Sequence, residues 1–189
     1  MIFETSLLST AYFPPIEYFA AIANSHRVEI ESGEMYQKQS YRTRCHINGA
    51  NGILVLTVPV LRSAFKGEGC SHKMPTSELM IDYSKPWLQQ HKRALEAAYM
   101  SSPFFEYYMD DLYAVLDSGE DNLLRMNTAL TLKIVELVGL ETPVAISGGD
   151  FIMPGSELLK QRGISDFRDS IHPKKTALLL EQLQMNKPY

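Results

Sequence analysis

The chain has 189 residues and a mass of 21.4 kDa, is 45% hydrophobic and 21% charged, and carries a formal net charge of -4. That is the profile of a single soluble domain over 1–189, and a chain of this size buries roughly 70% of its unfolded surface without a disulfide or metal staple. Disordered, collagen-like and disulfide-scaffold classes are excluded, and a pI near 5.7 argues against a sequence-independent nucleic-acid binder, which needs clustered Lys and Arg.

The amino terminus, MIFETSLLSTAYFPP, has no basic residue before its apolar stretch and holds Glu4 inside it, unlike a secretory signal. No run of about 18 apolar residues occurs, so no membrane insertion is expected. Cys45 and Cys70 form no Cys-x-x-Cys pair. Free thiols in a reducing cytoplasm are the expectation, with one disulfide as the alternative.

In chain order, Ile2 to Leu8 reads as a strand, the rigid Pro14-Pro15 pair as a break, and Ile16 to Ala23 as a short helix. Arg27 to Glu31 alternates polar and apolar residues, so the first 31 positions predict strand, helix, strand, compatible with a right-handed crossover. Tyr41 to Ile47 and Ile53 to Val60 predict a hairpin across Asn48-Gly49-Ala50-Asn51-Gly52. The second of these strands is nearly all apolar, which predicts burial on both faces. Residues 61 to 78 show no periodicity and read as a loop.

Three helices follow. Ser84 is the expected cap of the first, with Trp87, His91, Ala94, Leu95 and Ala98 on one stripe. Pro103 opens the second, which Gly119 stops; the third carries Leu123, Asn127, Leu130, Ile134 and Leu137 and ends at Gly139. Pro143 to Ser147 reads as a strand, and Ser156 as the cap of a short helix from Glu157. The tail from Ile164 is mostly polar until the apolar run Ala177 to Leu180. The fold class that results is mixed α/β: one sheet, including the amino-terminal unit and the hairpin, packed with about three to five helices.

The five histidines have no pair at metal-ligand spacing, and no P-loop, nucleophile elbow or complete dinucleotide fingerprint occurs, so neither metal nor cofactor is expected. Gly148-Gly149 is read as a tight turn, with close ligand approach as the alternative. His91 occupies the apolar stripe of its helix beside Trp87, where it is either a satisfied core histidine or a group presented to a cleft. The cationic and aromatic stretch from Tyr36 to Arg44 is the densest in the chain. A strand over Tyr41 to Ile47 would put Arg42 and Arg44 on one face, where two guanidinium forks suit a phosphate or carboxylate; pairing with Glu29 and Glu31 as surface charges is the alternative.

Ala-Tyr-Phe-Pro-Pro-Ile-Glu-Tyr-Phe at 11 to 19, the segment Glu34 to Arg44, Leu56-Thr57-Val58-Pro59-Val60, and Pro86-Trp87 with His91, Ala98-Tyr99 and Pro103-Phe104 together resemble the WbqC-like proteins. Ser9-Thr10-Ala11 stands where that family usually has a Gln-Pro pair before its opening motif. The resemblance implies a bacterial cytoplasmic protein of surface-polysaccharide metabolism; the carboxy-terminal stretch associated with the family, which would add a pocket wall, either lies beyond Tyr189 or is lacking in this member. It also implies a transferase-like enzyme, acyl or aminoacyl transfer included, acting on an anionic activated or sugar-containing small molecule. In that reading Arg42 and Arg44 hold the anion, Lys38 assists as a point charge, His91 is the general base, and Trp87 and Tyr12 form a stacking wall. The alternative is a non-catalytic binding or interaction protein that uses the same cationic cleft.

Overall fold

The computed structural model describes residues 2–61, 74–148 and 150–173. Its amino-terminal half begins with β1 (Phe3–Ser9), α1 (Ile16–Ala23) and β2 (Ser25–Glu31). β1 and β2 pair in parallel, with Leu8 opposite Ile30, so the crossover helix predicted between them is present. The hairpin follows as β3 (Arg44–Gly49) and β4 (Gly52–Thr57), then a 3-10 turn at Thr76–Glu78. Three longer helices are α2 (Trp87–Tyr99), α3 (Phe105–Leu116) and α4 (Leu123–Leu137), and the described chain ends with β5 (Val144–Ile146), α5 (Glu157–Gln161) and β6 (Ile164–Asp166).

The mixed α/β class is therefore what the chain adopts, with five α-helices among the described residues. Its strands divide between two sheets: a parallel one ordered β5-β2-β1-β6, and the hairpin by itself. β6 has only three residues, which is why its Ile-Ser-Asp pattern does not stand out from a polar tail.

Each sheet has its own apolar cluster. Leu8, Tyr18, Ile22, Val28 and Phe167 pack under the parallel sheet, while Cys45, Ile47, Leu56, Trp87 and Leu95 pack under the hairpin. α4 joins them, giving Met126 and Leu130 to the hairpin side and Val135 to the other. Its amino end is capped by Asn122, whose side-chain oxygen accepts from the Arg125 backbone N–H at 3.1 Å. Its carboxy end is closed by Gly139 at φ 70, where the left-handed conformation lets Leu140 N–H reach the Val135 carbonyl at 3.0 Å.

Four local expectations need correction. Ile53, Leu54 and Val55 are exposed, Ile53 by 76%. Among the described residues the hairpin has two strands and no layer over its outer face, where Ile53 and Val55 lie; the other face packs on α2 through Cys45, Ile47 and Leu56, but Leu54, nearer the turn, stays 44% exposed. The strand expected from Tyr41 begins at Arg44, because Gln39 takes a positive φ of 58 and residues 41 to 43 form a turn. Ser84 does not cap α2: its N–H and hydroxyl both donate to Asp82, and Pro86 occupies the cap position. Ser156 precedes α5 at its cap position without a side-chain cap bond. Most of the loop at 61 to 78, Cys70 and the apolar run 177 to 180 lie outside the described residues; Cys45 is a buried free thiol.

Candidate functional site

Charge gathers in two places, and they differ in whether it is already compensated. The first is the carboxyl edge of the parallel sheet. Arg42 is 4% exposed; its Nε donates to Glu34 Oε1 at 2.9 Å, and its Nη2 reaches Glu34 Oε2 at 2.5 Å and the Ser9 hydroxyl at 2.9 Å. Asn127, fully buried on α4, donates to the Arg42 carbonyl at 2.8 Å and so fixes the turn that carries it. Arg168, just after β6, forks onto Asp166 and donates to Glu31 Oε2 at 3.1 Å. Burial opposes its charge, but the Asp166 hydrogen bonds and the carboxylates of Asp166 and Glu31 outweigh that and raise its pKa.

Open parallel sheets usually hold ligands at this edge, near the switch in strand order, which here falls beside β1 and β6. The space there is a void of about 10 Å3 lined by Ser9, Thr10, Tyr18, Arg42 and Phe167, about one water in size. Both guanidinium groups are spent on carboxylates of the chain itself. This edge is a buried ionic clamp. Gly33 belongs to it, since a Cβ added there would come within 2.9 Å of the Phe151 Cβ, and Phe151 in turn lies under the Arg168 guanidinium at 5.6 Å. Gly33→Ala is expected to cost about 1–3 kcal/mol by overpacking, lowering the melting temperature by roughly 2–12 °C. An unchanged melting temperature would show that the Phe151 segment yields freely.

The second place is a groove of about 650 Å3 between the 36–44 segment and the ends of the hairpin strands. Arg44 and Thr57 are cross-strand partners on the outer face of the hairpin, and both line it. Lys38 enters from the preceding loop and Lys85 from the turn before α2, while Tyr36, Pro59 and Val60 supply an apolar wall. No Asp, Glu, His or Cys is among the described residues that line it. Lys38 and Arg44 make no ion pair among the described residues, and the Nε of Arg44 is buried without a hydrogen-bond partner. Among the described residues Lys85 has only Asp82, at 3.8 Å. An anion entering here meets cations from three chain segments.

The aromatic residues expected to wall the cleft lie behind this groove. Tyr12 is fully buried, Trp87 nearly so, and His91 is 5% exposed. The Tyr12 hydroxyl is 2.9 Å from His91 Nδ1, and the rings of Trp87 and His91 have centroids 5.1 Å apart. The His91 pKa is lowered to about 4 by burial, against a hydrogen bond with the Thr57 backbone that favours the protonated form. Such a bond accepts from the ring, so the neutral imidazole donates to Thr57 and accepts from Tyr12. Burial, with smaller contributions from Cys45 and Tyr83, pushes the Tyr12 hydroxyl pKa well up, which keeps it a donor. The Cys45 thiol is pushed up to about 12 by burial.

Of the residues singled out in the sequence, Lys38 and Arg44 thus meet in the groove, Arg42 belongs to the ionic clamp, and Tyr12, Trp87 and His91 form the layer supporting Thr57. Sequence reasoning missed Lys85 and Thr57. Lys85 lies far along the chain from Lys38 and Arg44, and its one signal is its position directly before Pro86-Trp87. A Cβ on Gly148 would have nothing within 4 Å, so that turn offers open space and no close backbone approach. Among the described residues no group of three or more His, Cys, Asp or Glu is placed to hold a metal ion, and no helix is long and apolar enough to cross a membrane.

The model of the WbqC-like protein family matches residues 10–164. That span includes the groove, the aromatic layer, α2 to α4 and the Arg42–Glu34 pair. The Uncharacterized protein Rv1507c of Mycobacterium tuberculosis is 29% identical over 145 residues, a stretch covering 76% of this chain and 60% of that protein's length. No solved structure matches.

Proposed function

Because the chain belongs to the WbqC-like protein family, we propose that it binds an anionic small molecule of bacterial surface-polysaccharide metabolism in the groove between residues 36–44 and the hairpin, as a cytoplasmic group-transfer protein. The observation that supports this is the convergence of Lys38 and Arg44, without ion pairs among the described residues, on one cavity whose described lining carries no carboxylate. Arg44 presents the fork that orients the anion, and Lys38 and Lys85 contribute point charges that move with it. His91 acts at one remove. With its ring neutral and both nitrogens engaged, it holds the Thr57 backbone, and with it the groove floor, in place.

A transferase built on this groove would work by orientation and charge stabilisation, since the described lining carries no Asp, Glu, His or Cys. The same lack favours a second reading, a binding protein that recognises the anion without converting it.

Thermal unfolding against a panel of anionic sugars, acyl thioesters, aminoacyl compounds and neutral sugars tests the reading. A ligand at a hundredfold its dissociation constant adds about 2.7 kcal/mol, a shift of roughly 5–11 °C for a chain of this size. Anionic members are expected to shift the protein, neutral sugars are not, and Arg44→Ala is expected to abolish the shift while leaving the unliganded melting temperature within about 2 °C. A panel without effect, or a shift that survives in Arg44→Ala, would overturn it. Turnover of the ligand that binds then separates transferase from binding protein.

A further inference from the structure

We propose that the occupant of the groove is a diphosphate ester: two linked phosphate groups held by Arg44, Lys38 and Lys85, with an organic body lying against Tyr36, Pro59 and Val60. This rests on the anion-groove reading and gives that anion a chemical class.

The argument is one of charge. For its two buried arginines the chain supplies its own counter-ions, Glu34 for Arg42, and Asp166 with Glu31 for Arg168. The groove departs from that pattern. Arg44, whose Nε is buried, and the exposed Lys38 and Lys85 line it, and among the described residues the one carboxylate in an ion pair with any of them is Asp82, 3.8 Å from Lys85. Among those residues two of the three positive charges make no ion pair. A single carboxylate leaves one of them uncompensated; a diphosphate diester carries two negative charges through the neutral range and matches both.

The arrangement of donors points the same way. Lys38, Arg44 and Lys85 come from a loop, a strand end and a pre-helical turn, so they approach from separate elements. A carboxylate offers its acceptors in one plane, whereas linked tetrahedral phosphates offer oxygens in several directions. Size adds a further constraint. About 650 Å3 is the volume of a site for a drug-sized ligand and is more than a bare diphosphate fills, and the remaining wall is apolar and aromatic.

Isothermal titration of the full chain at low salt, with four probes, tests the assignment: inorganic phosphate, malonate, inorganic pyrophosphate and UDP-glucose. Pyrophosphate is expected to bind at least tenfold more tightly than phosphate or malonate, and UDP-glucose more tightly still. Arg44→Ala and Lys85→Ala are each expected to weaken pyrophosphate at least tenfold while keeping the melting temperature within about 2 °C, whereas Lys160→Ala, at an exposed position of α5, has no effect. Raising the salt concentration is expected to weaken all binding. Malonate or phosphate within threefold of pyrophosphate, or UDP-glucose no tighter than pyrophosphate, would overturn the diphosphate-ester assignment and leave the anion groove standing. Failure of all four probes would overturn the groove reading and this assignment together.

Discussion

Replacing Arg42 by alanine is expected to destabilise the protein by about 3–5 kcal/mol, because it removes the counter-ion of a carboxylate that cannot regain water. Glu34 is 5% exposed, and Arg42 supplies two of the three hydrogen bonds to its oxygens, the third coming from the Ser9 hydroxyl, to which Arg42 also donates. For a chain of this length the loss corresponds to a fall of roughly 6–20 °C in melting temperature. Replacing the pair together by apolar residues of similar volume is expected to restore much of it, since the cost lies in the orphaned charge more than in the missing attraction. Differential scanning calorimetry of Arg42→Ala and of the Arg42→Met, Glu34→Leu double variant measures both quantities. A single variant as stable as the parent would show that water reaches Glu34. Reduced ligand binding in Arg42→Ala therefore reports on the fold, and Arg44 is the position at which binding can be examined separately.

Acidification is expected to weaken the fold through His91. Its pKa is lowered to about 4 in the folded chain, against about 6.5 for an ordinary histidine, with burial as the main cause. Above about pH 6.5 the imidazole is neutral in both states and contributes no pH dependence. Between about 6.5 and 4 the unfolded chain takes up a proton that the folded chain refuses, so stability falls with decreasing pH, by up to about 1.4 kcal/mol per unit and about 3 kcal/mol in all. Below about 4 both states are protonated and the contribution levels off. Urea unfolding between pH 7 and pH 4 is expected to show this slope in the parent and lose it in His91→Gln, which is itself less stable at pH 7 by about 1–3 kcal/mol for the altered bonds to Tyr12 and Thr57. Identical slopes in the two proteins would mean that His91 is protonated in the folded state.

That histidine also shows where sequence reasoning stopped. Its place on the stripe of Trp87, Leu95 and Ala98 is a local property, set by helical periodicity, whereas its burial at 5% exposure is decided by packing. Which groups meet its nitrogens is not local: Tyr12 comes from the segment after β1 and Thr57 from the end of β4. The arginines diverge for a similar reason. Read as one strand, 42 and 44 share a face. The turn at 41 to 43 breaks that parity and sends Arg42 inward to Glu34, leaving Arg44 on the outer face of the hairpin.

The sequence by itself determined the elements with strong local signals: the β1-α1-β2 unit, the Asn- and Gly-rich hairpin, and the three helices, whose apolar stripes, and for α3 and α4 the glycines that follow, are written into spacing. It also determined the mixed α/β class and carried the motifs by which the chain belongs to its family. Tertiary structure alone decided that the hairpin stands as its own sheet, that the residues of β6 pair beside β1, and which cations lie in the groove and which are neutralised. The physical reason is range. Periodicity and capping act within a few residues, whereas charge compensation depends on contacts between segments that only the packed chain brings together.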